Sequence, residues 1–598
     1  MGTRTYKRQS LAELTATMPP ASARIFQSIL SRRAVIGGTA GLAAAAMSAP
    51  AILAQDATPG SEPISNVWTP PEGAAPLEDQ IWRVPSATGG AVTVDFYERV
   101  YERPAVADLF SIALVGLTKE FEIIPMAATE WSSNEDGTEW TFKLRNDIMW
   151  SDGNPQTAAD YVKTFQYAAD PEHAWDFAWF WSGDILNFTE AVAGEVPVEE
   201  IGVRQGADEY EVIFTTVNPA PYLPAKLLYS EPLSAAALET SGPLYNSNPE
   251  TAVSSGPFIV TEWVPDQYLV YERNEAYSAP WPVPLQKIVN KFADPAQFFT
   301  LYEAGEIDQM EGPAPAELTI MQADRSGEIF QGVGDFACLY FFFDVTTPPF
   351  DNILVRQAFS HVLDRETMAQ QIWGPQAKPA YSFLAPGFPA ANGEELSSIQ
   401  AFDPELGKQL LAEAGYPDGE GFPSLVMTVR GNGTPLETAT TQAYGTMISQ
   451  YLNIPVELQI MDRQAFYDDM ASIQFGWVSY GMDFFDASNM LGIWKTGGRH
   501  PWSNADFDSL VDEAASFLGA EEERTAMFQE AERILVEDVP AVFAYFVTPI
   551  QLIKPYVTGP ALEADSNGIA AIHWPGLATN GSALYELWIS DEAPSGRS

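Results

Sequence analysis

Residues 130–153 read EWSSNEDGTEWTFKLRNDIMWSDG, and this stretch decides the fold class. Asp136 and Gly137 form the kind of turn that joins two strands of a β-hairpin. From Trp140 to Leu144, apolar and polar residues then alternate, which is the period of a strand with one buried face. The stretch therefore predicts a hairpin, and the elements around it decide what packs on that hairpin.

Helices and strands alternate along the rest of the chain. Thr157 and Asp160 form a capping pair that begins a helix, and Asp403 with Pro404 begins another. Further strands are predicted at 258–263, 270–272, 287–292, 425–429 and 456–460, and helices at 157–169, 295–304, 437–452, 507–518 and 521–537. The strand–helix–strand order over 425–460 predicts a right-handed parallel unit, and the alternation as a whole predicts an α/β architecture.

The composition fits a large, acidic globular protein. With 598 residues the chain is too long for one hydrophobic core, so two or more domains are expected. Its 80 acidic and 31 basic residues give a formal net charge of -49, which repels nucleic-acid phosphates and anionic lipid headgroups. Because Cys338 is the single cysteine, we expect no disulfide and no cysteine cluster for zinc. We also expect no metal and no cofactor.

Residues 1–54 form a predicted export signal. Arg32 and Arg33 precede an uncharged stretch that ends in small residues at Ala54, which is the order of a secretory signal. The adjacent arginines indicate the twin-arginine route. We therefore assign 1–54 to a twin-arginine-type signal segment and 55–77 to a flexible mature N-terminus.

Two features of this segment stay open. Its uncharged stretch is long enough to remain as an uncleaved membrane anchor, and Met18 is an alternative start. A cleaved form implies a periplasm, whereas an anchored form implies the outer face of the cytoplasmic membrane. Both alternatives predict an exported protein.

Four blocks, in order and at compatible spacing, carry a resemblance to a known family. They lie within 125–160, 256–308, 348–366 and 411–417, and contain WTFKLR at 140–145, ERN at 272–274, PPFD at 348–351 and LAEAGYP at 411–417. The chain from about residue 85 to 590 resembles the family 5 extracellular solute-binding proteins of ABC importers. That family includes oligopeptide-, dipeptide- and nickel-binding proteins.

The resemblance implies a two-lobed, periplasmic-binding-protein-like α/β fold of type II, with an extra subdomain inserted in the first lobe. Two strand-like crossings, at 340–344 and 544–548, would act as hinges between the lobes. The implied limits are 78–117, 253–335 and 545–590 for the first lobe, 118–252 for the inserted subdomain, and 336–544 for the second lobe.

The resemblance also implies a site for a peptide α-ammonium. In peptide-binding relatives a carboxylate of the second lobe holds this group, and the matching segment here is DFFDASNML at 483–491, with Asp483 first and Asp486 second. In many relatives the acid follows a Trp by three residues. Here the third residue after Trp477 is Tyr480, so either the loop is longer or the ammonium site is lost.

Further candidates for ligand contact come from the residues themselves. Arg430 follows a predicted strand, where it meets a ligand carboxylate or remains a surface charge. Tryptophans at 175, 179 and 181 are expected in the core, with a stacking platform as the alternative. Three residues of a glycine-rich stretch are expected on a cleft wall: Trp494, Trp502 and Asn504.

The predicted function is the capture of a small solute, a peptide in the first instance, and its delivery to the permease subunits of an ABC importer. The alternatives on the same fold are an oligosaccharide or a metal chelate, and outside it a secreted hydrolase. The sequence has no G-x-S-x-G, H-E-x-x-H or P-loop motif, so we expect a binding protein rather than an enzyme. We expect a monomer that meets the membrane only at the transporter, or through the anchor.

Overall fold

The computed structural model describes residues 68–87, 91–332, 335–431, 434–564, 570, 572 and 581–597. The predicted signal segment 1–54 lies outside the described residues. Strands and helices alternate along the described chain, as the sequence predicts. The strands form three sheets of four, four and six strands and several smaller ones.

The first four-stranded sheet belongs to the predicted first lobe. Its order is Ile81–Ala87, Lys287–Ala293, Tyr268–Arg273 and Phe258–Val264. The first two strands are parallel and the other pairs antiparallel. Trp82 and Ile288 are neighbours in the parallel register, and both are fully buried, so this sheet lies against the core.

The second four-stranded sheet contains the hairpin predicted within 130–153. Its order is Ala128–Ser133, Glu139–Leu144, Glu211–Thr215 and Val203–Gln205, all antiparallel. Gly137 adopts a positive φ of 66° in the turn, a conformation that glycine reaches without strain. The predicted hairpin is confirmed.

One hydrophobic core joins the inserted sheet to the first lobe. Phe142 and Phe214 of the insertion belong to the same buried cluster as Trp82 of the first lobe. The helix Ala158–Ala168 packs beside this sheet, and it begins with the capping box of Thr157 and Asp160 that the sequence predicts. The predicted insertion therefore shares a hydrophobic core with the sheet of the predicted first lobe.

The six-stranded sheet forms the second lobe. Its order is Ala377–Pro379, Ala541–Val547, Cys338–Phe343, Phe475–Tyr480, Leu425–Arg430 and Val456–Met461. The last two strands are parallel, and the helix Pro435–Leu452 connects them. The parallel unit predicted over 425–460 is confirmed.

The chain passes from a three-stranded sheet into the six-stranded sheet after Gln331 and returns after Val547. The two passages lie side by side. The amide of Gly332 donates to the carbonyl of Pro549 at 2.9 Å, and the amide of Val547 donates to the carbonyl of Ala337 at 3.0 Å. The strand order of the smaller sheet is Gln309–Glu311, Ile550–Ile553 and Ile329–Gln331.

These passages differ from the predicted hinges. The range 340–344 lies mostly inside the fully buried strand Cys338–Phe343, and 544–548 lies mostly inside Ala541–Val547. Strands paired on both sides are poor places for large dihedral changes, because their backbone hydrogen bonds hold them. The passages between the sheets therefore lie mostly outside the two predicted hinge ranges, before Cys338 and after Val547. The six-stranded sheet continues past the predicted limit at 544. The remaining domain limits stay predictions.

The predicted flexible segment 55–77 is corrected where the structure describes it. Trp68 lies 6.2 Å from Trp588 between ring centroids, and the amide of Ala75 donates to the carbonyl of Ile589 at 2.9 Å. The chain is therefore fastened to its own C-terminal region from Trp68 onward.

Shorter elements complete the described chain. Two small antiparallel sheets pair Val115–Leu117 with Ile123–Pro125 and Val557–Thr558 with Trp588–Ile589. The further α-helices are Phe188–Val192, Leu223–Lys226, Ala235–Ser241, Phe298–Glu303, Pro315–Asp324, Ile353–Ser360, Arg365–Met368, Gly393–Leu396, Pro404–Glu413, Arg463–Asp468, Ala487–Gly492, Ala505–Ala515 and Glu521–Asp538.

Candidate functional site

A cavity of about 780 Å³ lies where the inserted subdomain meets the second lobe. Residues between Trp179 and Lys226 form its wall on the insertion side, and residues between Tyr480 and Ser516 form the opposite wall. Small-molecule sites typically measure about 300–1,000 Å³. The cavity therefore has the size and the interlobe position of a solute site.

Asp483 is held beside this cavity by two hydrogen-bond donors. The Tyr480 hydroxyl and the Asn489 amide donate to its Oδ2 at 2.7 and 3.0 Å. The backbone amide of Asp483 also donates to Asn489 Oδ1 at 2.8 Å. Tyr480 ends the strand Phe475–Tyr480, and Asn489 lies in the helix Ala487–Gly492, so two regular elements fix the carboxylate. Within the described residues, its Oδ1 accepts no hydrogen bond.

The electrostatic surroundings of Asp483 are mixed. Burial raises the pKa of Asp483, while the hydrogen bonds from Tyr480 and Asn489 and the positive charges of Lys226 and Arg499 oppose that rise. Asp335 lies close by; burial raises its pKa to about 6, and the charge of Asp483 adds to the effect. A cation bound here would stabilise the ionised form of Asp483.

Lys226 and Phe484 bring the insertion and the second lobe into contact. Lys226 is almost fully buried, and its Nζ contacts the Asp184 carboxylate and the Phe180 carbonyl. The same Nζ lies 4.2 Å from the Phe180 ring centroid and 5.5 Å from that of Phe484. The Phe484 ring also stacks on Tyr222 at 5.6 Å. Phe484, next to Asp483 in the chain, thus occupies an aromatic and cationic pocket of the insertion.

The comparison with known families agrees with this geometry. Residues 122–501 match the family described as "Bacterial extracellular solute-binding proteins, family 5 Middle". The chain belongs to this family. The match covers more than half of the chain, and the family that the four sequence blocks indicate is confirmed.

Curated relatives match this family 5 protein over most of their length. The periplasmic oligopeptide-binding protein OppA of Escherichia coli is 28% identical over 481 residues, which cover 77% of this chain and 86% of OppA. The probable deoxycholate-binding periplasmic protein YgiS of the same organism is 28% identical over 466 residues, covering 76% of this chain and 85% of YgiS.

Solved structures confirm the fold of this family 5 protein. The murein tripeptide-binding protein MppA of Escherichia coli aligns with a TM-score of 0.68 at 24% identity, over 87% of this chain and 100% of MppA. Haemophilus influenzae OppA, solved with the peptide RPPGFSPFR, aligns with a TM-score of 0.67 at 21% identity, over 86% of this chain and 100% of that one. The two-lobed α/β fold of type II is therefore confirmed.

Two residues of the predicted site in this family 5 protein serve the fold. Trp477 is 1% exposed, and its ring lies 4.4 Å from Phe341 in the core of the second lobe. Asp486 caps the helix Ala487–Gly492, and its two oxygens accept from the Arg524 guanidinium at 2.8 and 2.9 Å. Asp486 is therefore fully engaged within the protein, whereas Asp483 keeps one oxygen open.

Arg430 has protein partners of its own. Its Nη2 donates to Glu437 Oε1 and its Nη1 to the Tyr467 hydroxyl, at 2.8 and 2.7 Å. It lies at the end of the strand Leu425–Arg430 and is partly buried, so it is neither a bare surface charge nor an open anion site.

The prediction that Trp494, Trp502 and Asn504 lie on a cleft wall is corrected by the structure. Trp494 is fully buried beside Tyr340, and the Trp502 indole donates to the Asp538 carboxylate. Asn504 caps the helix Ala505–Ala515 through the amides of its first turn. Within the described residues none of the three lines the cavity, because each has a packing or capping role.

Sequence reasoning missed much of the cavity wall. Trp179 is 52% exposed on this wall, whereas Trp175 and Trp181 are buried as predicted. Its exposure could not be read from the spacing, because all three tryptophans lie within seven residues. A charge count offers a weak signal for Lys226, Lys495 and Arg499, since three of only 31 basic residues line one cavity.

Proposed function

We propose that this family 5 protein captures a peptide in the interlobe cavity and delivers it to the permease subunits of an ABC importer. The observation that carries the proposal is the Asp483 carboxylate, oriented by Tyr480 and Asn489 and open at one oxygen. An ammonium that enters a half-buried site needs an anionic partner, because an uncompensated charge there costs several kcal/mol. Relatives named as oligopeptide- and murein peptide-binding proteins support the same solute class.

Closure of the lobes gives the binding step its mechanism. Phe484 reaches the insertion from the second lobe, so the contact exists only when the lobes meet. A solute that pairs with Asp483 lies next to this contact, and its binding favours the closed state through that differential contact. Reopening at the two adjacent passages releases the solute to the transporter.

An oligosaccharide is the second candidate. Trp179 presents a half-exposed indole to the cavity, and a flat aromatic face is the surface on which sugar rings stack. The relative named as a deoxycholate-binding protein adds an amphipathic anion to the solutes worth screening. Thermal-shift measurements against peptides, oligosaccharides, deoxycholate and nickel chelates separate these classes, because a tight solute raises stability by mass action.

The decisive experiment identifies what co-purifies with the protein and then measures it. Native mass spectrometry of protein purified from its own export compartment gives the solute mass. Calorimetry then compares a recovered peptide with its N-acetylated form. We expect the free amine to bind at least tenfold more tightly; equal affinities would remove Asp483 from the role of ammonium receptor. Intact peptide after prolonged incubation would support binding without turnover, as the names of the relatives suggest.

Export is proposed from the N-terminal sequence. Relatives named as periplasmic proteins support it, and within the described ranges no helix has both the length and the apolar character to cross a bilayer. Replacing Arg32 and Arg33 by Lys in a fusion of 1–77 to a reporter should abolish export if the twin-arginine route is used. Retention of the full-length signal on the exported reporter would indicate the anchored form.

We also propose that the protein acts as a monomer. Both walls of the cavity come from one chain, so a second copy is not needed to complete the site. Light scattering at micromolar concentration should give the mass of a single chain, with or without solute.

A further inference from the structure

The two edges of the six-stranded sheet differ in length and in composition. One edge is the three-residue strand Ala377–Pro379, which carries Lys378 and ends in a proline. A short strand, a lysine and a proline each discourage another chain from pairing with a sheet edge. The opposite edge is the strand Val456–Met461, which has six residues and contains neither lysine nor proline. This second edge therefore lacks the protections that the first one has.

Half of the backbone hydrogen-bonding groups of Val456–Met461 point away from the sheet. The strand pairs in parallel with Leu425–Arg430, and the amide of Gly431 donates to the carbonyl of Met461. Because successive residues of a strand direct their backbone groups to opposite sides, every second residue counted back from Met461 faces the paired strand, and the other three face outward. The three outward residues are Val456, Leu458 and Ile460. Among the described residues no strand pairs with this outer side, so it is a template for a further strand.

The side chains of this edge strand add an apolar surface to the template. Leu458 and Ile460 are two residues apart, so they lie on the same face of the strand, and they are 38% and 74% exposed. The helix Pro435–Leu452, which connects the two parallel strands, does not cover them. An added strand would place every second side chain against these two residues, so it should be apolar at alternate positions.

The charges around this edge are acidic. Glu457 is exposed on the other face of the strand, and Asp418 is exposed near its start, where the Asn453 side-chain amide donates to the Asp418 carbonyl at 2.9 Å. Residues 431–462 contain no lysine or arginine, and Arg463, just after the strand, is the base nearest to it in the sequence. A second copy of this chain would bring the same acids and a net charge of -49, so it would be repelled, whereas a basic segment would be attracted.

We propose that the strand Val456–Met461 is a docking edge for an extended segment of a partner protein that alternates basic and apolar residues. The segment joins the six-stranded sheet as an additional strand. Its main chain pairs with the outward groups of Leu458 and Ile460, its apolar side chains cover theirs, and its basic side chains face Glu457. In the described part of the chain no residue of this strand lines the cavity, so the inference is independent of the proposed peptide capture.

The test uses a fluorescent eight-residue peptide of alternating lysine and valine, blocked at both ends so that it has no terminal charge. A second peptide has glutamate in place of lysine. Fluorescence anisotropy measures the binding of each peptide to the full-length purified protein. Leu458→Pro removes one outward N–H donor, and the matched control Leu458→Thr keeps that donor. Thermal unfolding verifies that both variants are folded.

We expect the basic peptide to bind at least about tenfold more tightly than the acidic one. Leu458→Pro should weaken its binding about tenfold, and Leu458→Thr at most about threefold. Hydrogen exchange of wild type is a second measurement, which does not depend on the folding of a variant. The bound basic peptide should slow exchange of the outward amides of Leu458 and Ile460, and leave that of Gln459, which faces the paired strand, unchanged.

Three results overturn the inference, and none of them touches the proposed peptide capture. If the two peptides bind equally, or neither binds, the edge does not select a basic segment. If the basic peptide slows exchange around the cavity and not at Leu458 and Ile460, it binds elsewhere. If light scattering shows that wild type dimerises without peptide and Leu458→Pro does not, the occupant of the edge is a second copy of the chain.

Discussion

Asp308 and Asp483 show two opposite uses of a carboxylate beside arginines. Asp308 is fully buried, its Oδ1 lies 2.6 Å from Arg83, and its Oδ2 pairs with Arg597. Tyr556 donates a further bond to it at 2.9 Å. Asp483 is half-buried, makes no ion pair within the described residues, and has one oxygen that accepts no hydrogen bond there.

The difference separates a charge that holds the fold from a charge that we propose pairs with a solute. Arg83 lies in the strand Ile81–Ala87 and Arg597 near the end of the described residues, so Asp308 joins two distant parts of the chain. Its desolvation is offset by three partners. Asp483 has neutral donors instead, and we propose that a solute ammonium supplies its counter-charge. Burial and pairing are thus two independent variables, and the predictions below vary each of them.

Asp308→Asn should have the largest effect. It leaves two buried guanidinium groups facing a neutral amide, and breaking a buried pair in this way costs about 3–5 kcal/mol. Urea unfolding followed by tryptophan fluorescence measures the loss, while calorimetry should show unchanged solute affinity for the folded fraction. A loss below about 1 kcal/mol would mean that Arg83 and Arg597 find other partners.

Asp483→Asn should lower the affinity for the solute and leave the stability of the fold unchanged. Asparagine still accepts from Tyr480 and Asn489 but cannot neutralise an ammonium, so a peptide with a free amine should bind about 2–5 kcal/mol more weakly. The N-acetylated peptide is the control and should not distinguish the variant from wild type. Unchanged calorimetric affinity for the free amine would place the ammonium elsewhere.

Phe484→Ala tests the neighbour that joins the lobes. The closed state loses a stacked ring on Tyr222 and contacts with Phe180 and Lys226, so solute affinity should fall by about 1–3 kcal/mol. Small-angle scattering should show a more open average shape. Phe484→Leu keeps apolar bulk without the ring, so its solute affinity should lie between those of wild type and Phe484→Ala. If Phe484→Ala binds the solute as tightly as wild type does, Phe484 has no part in closure.

The sequence was sufficient for the fold because each block carries local signals. The hairpin at Gly137, the capping box at Thr157 and the parallel unit around the helix Pro435–Leu452 depend on neighbours a few residues away. The order of the four blocks, which resembles that of family 5 proteins, then predicted the two lobes. The predicted limit at 544 falls inside the strand Ala541–Val547, because the strand that pairs with it lies about two hundred residues away in the chain.

The site was only partly predictable for the opposite reason. The motif predicts Asp483 as a site residue, but it gives no signal for Lys226, which reaches the cavity from an element far away in the chain. Trp494 and Trp179 are the same residue type in aromatic surroundings, yet one is fully buried and the other 52% exposed. Which aromatic residue faces a cleft is decided by packing between elements, and no local pattern encodes it.

Asp95 supplies the third case, burial without pairing. It accepts from Asn246 at 2.8 Å, while Arg103 pairs with Glu231, and its Oδ2 has no partner in the described structure. Burial raises the pKa of Asp95 to about 7, with the charges of Glu231 and Glu98 adding and that of Arg103 opposing.

A raised pKa means that the folded state binds the proton more tightly than the unfolded state. The stabilisation is complete below about pH 4 and is lost as pH rises through 7, by roughly 2–3 kcal/mol between pH 5 and 8. Asp95→Asn, which is neutral at every pH, should flatten this part of the stability curve. An unchanged slope in urea unfolding at pH 5, 6, 7 and 8 would show that Asp95 is ionised in the folded protein.

Arg533 supplies the fourth case, pairing without burial. On the exposed face of the helix Glu521–Asp538 it contacts both Glu530 and Glu537. Water screens such pairs, so Arg533→Gln should change the free energy of unfolding by about 0.2–1 kcal/mol, and less at high salt. When Arg533→Gln and Asp308→Asn are measured in the same urea series, the difference between their losses of unfolding free energy shows how much burial adds to an ion pair. If the two variants cost the same, burial does not set the strength of these pairs, and the open charge at Asp483 would need another explanation.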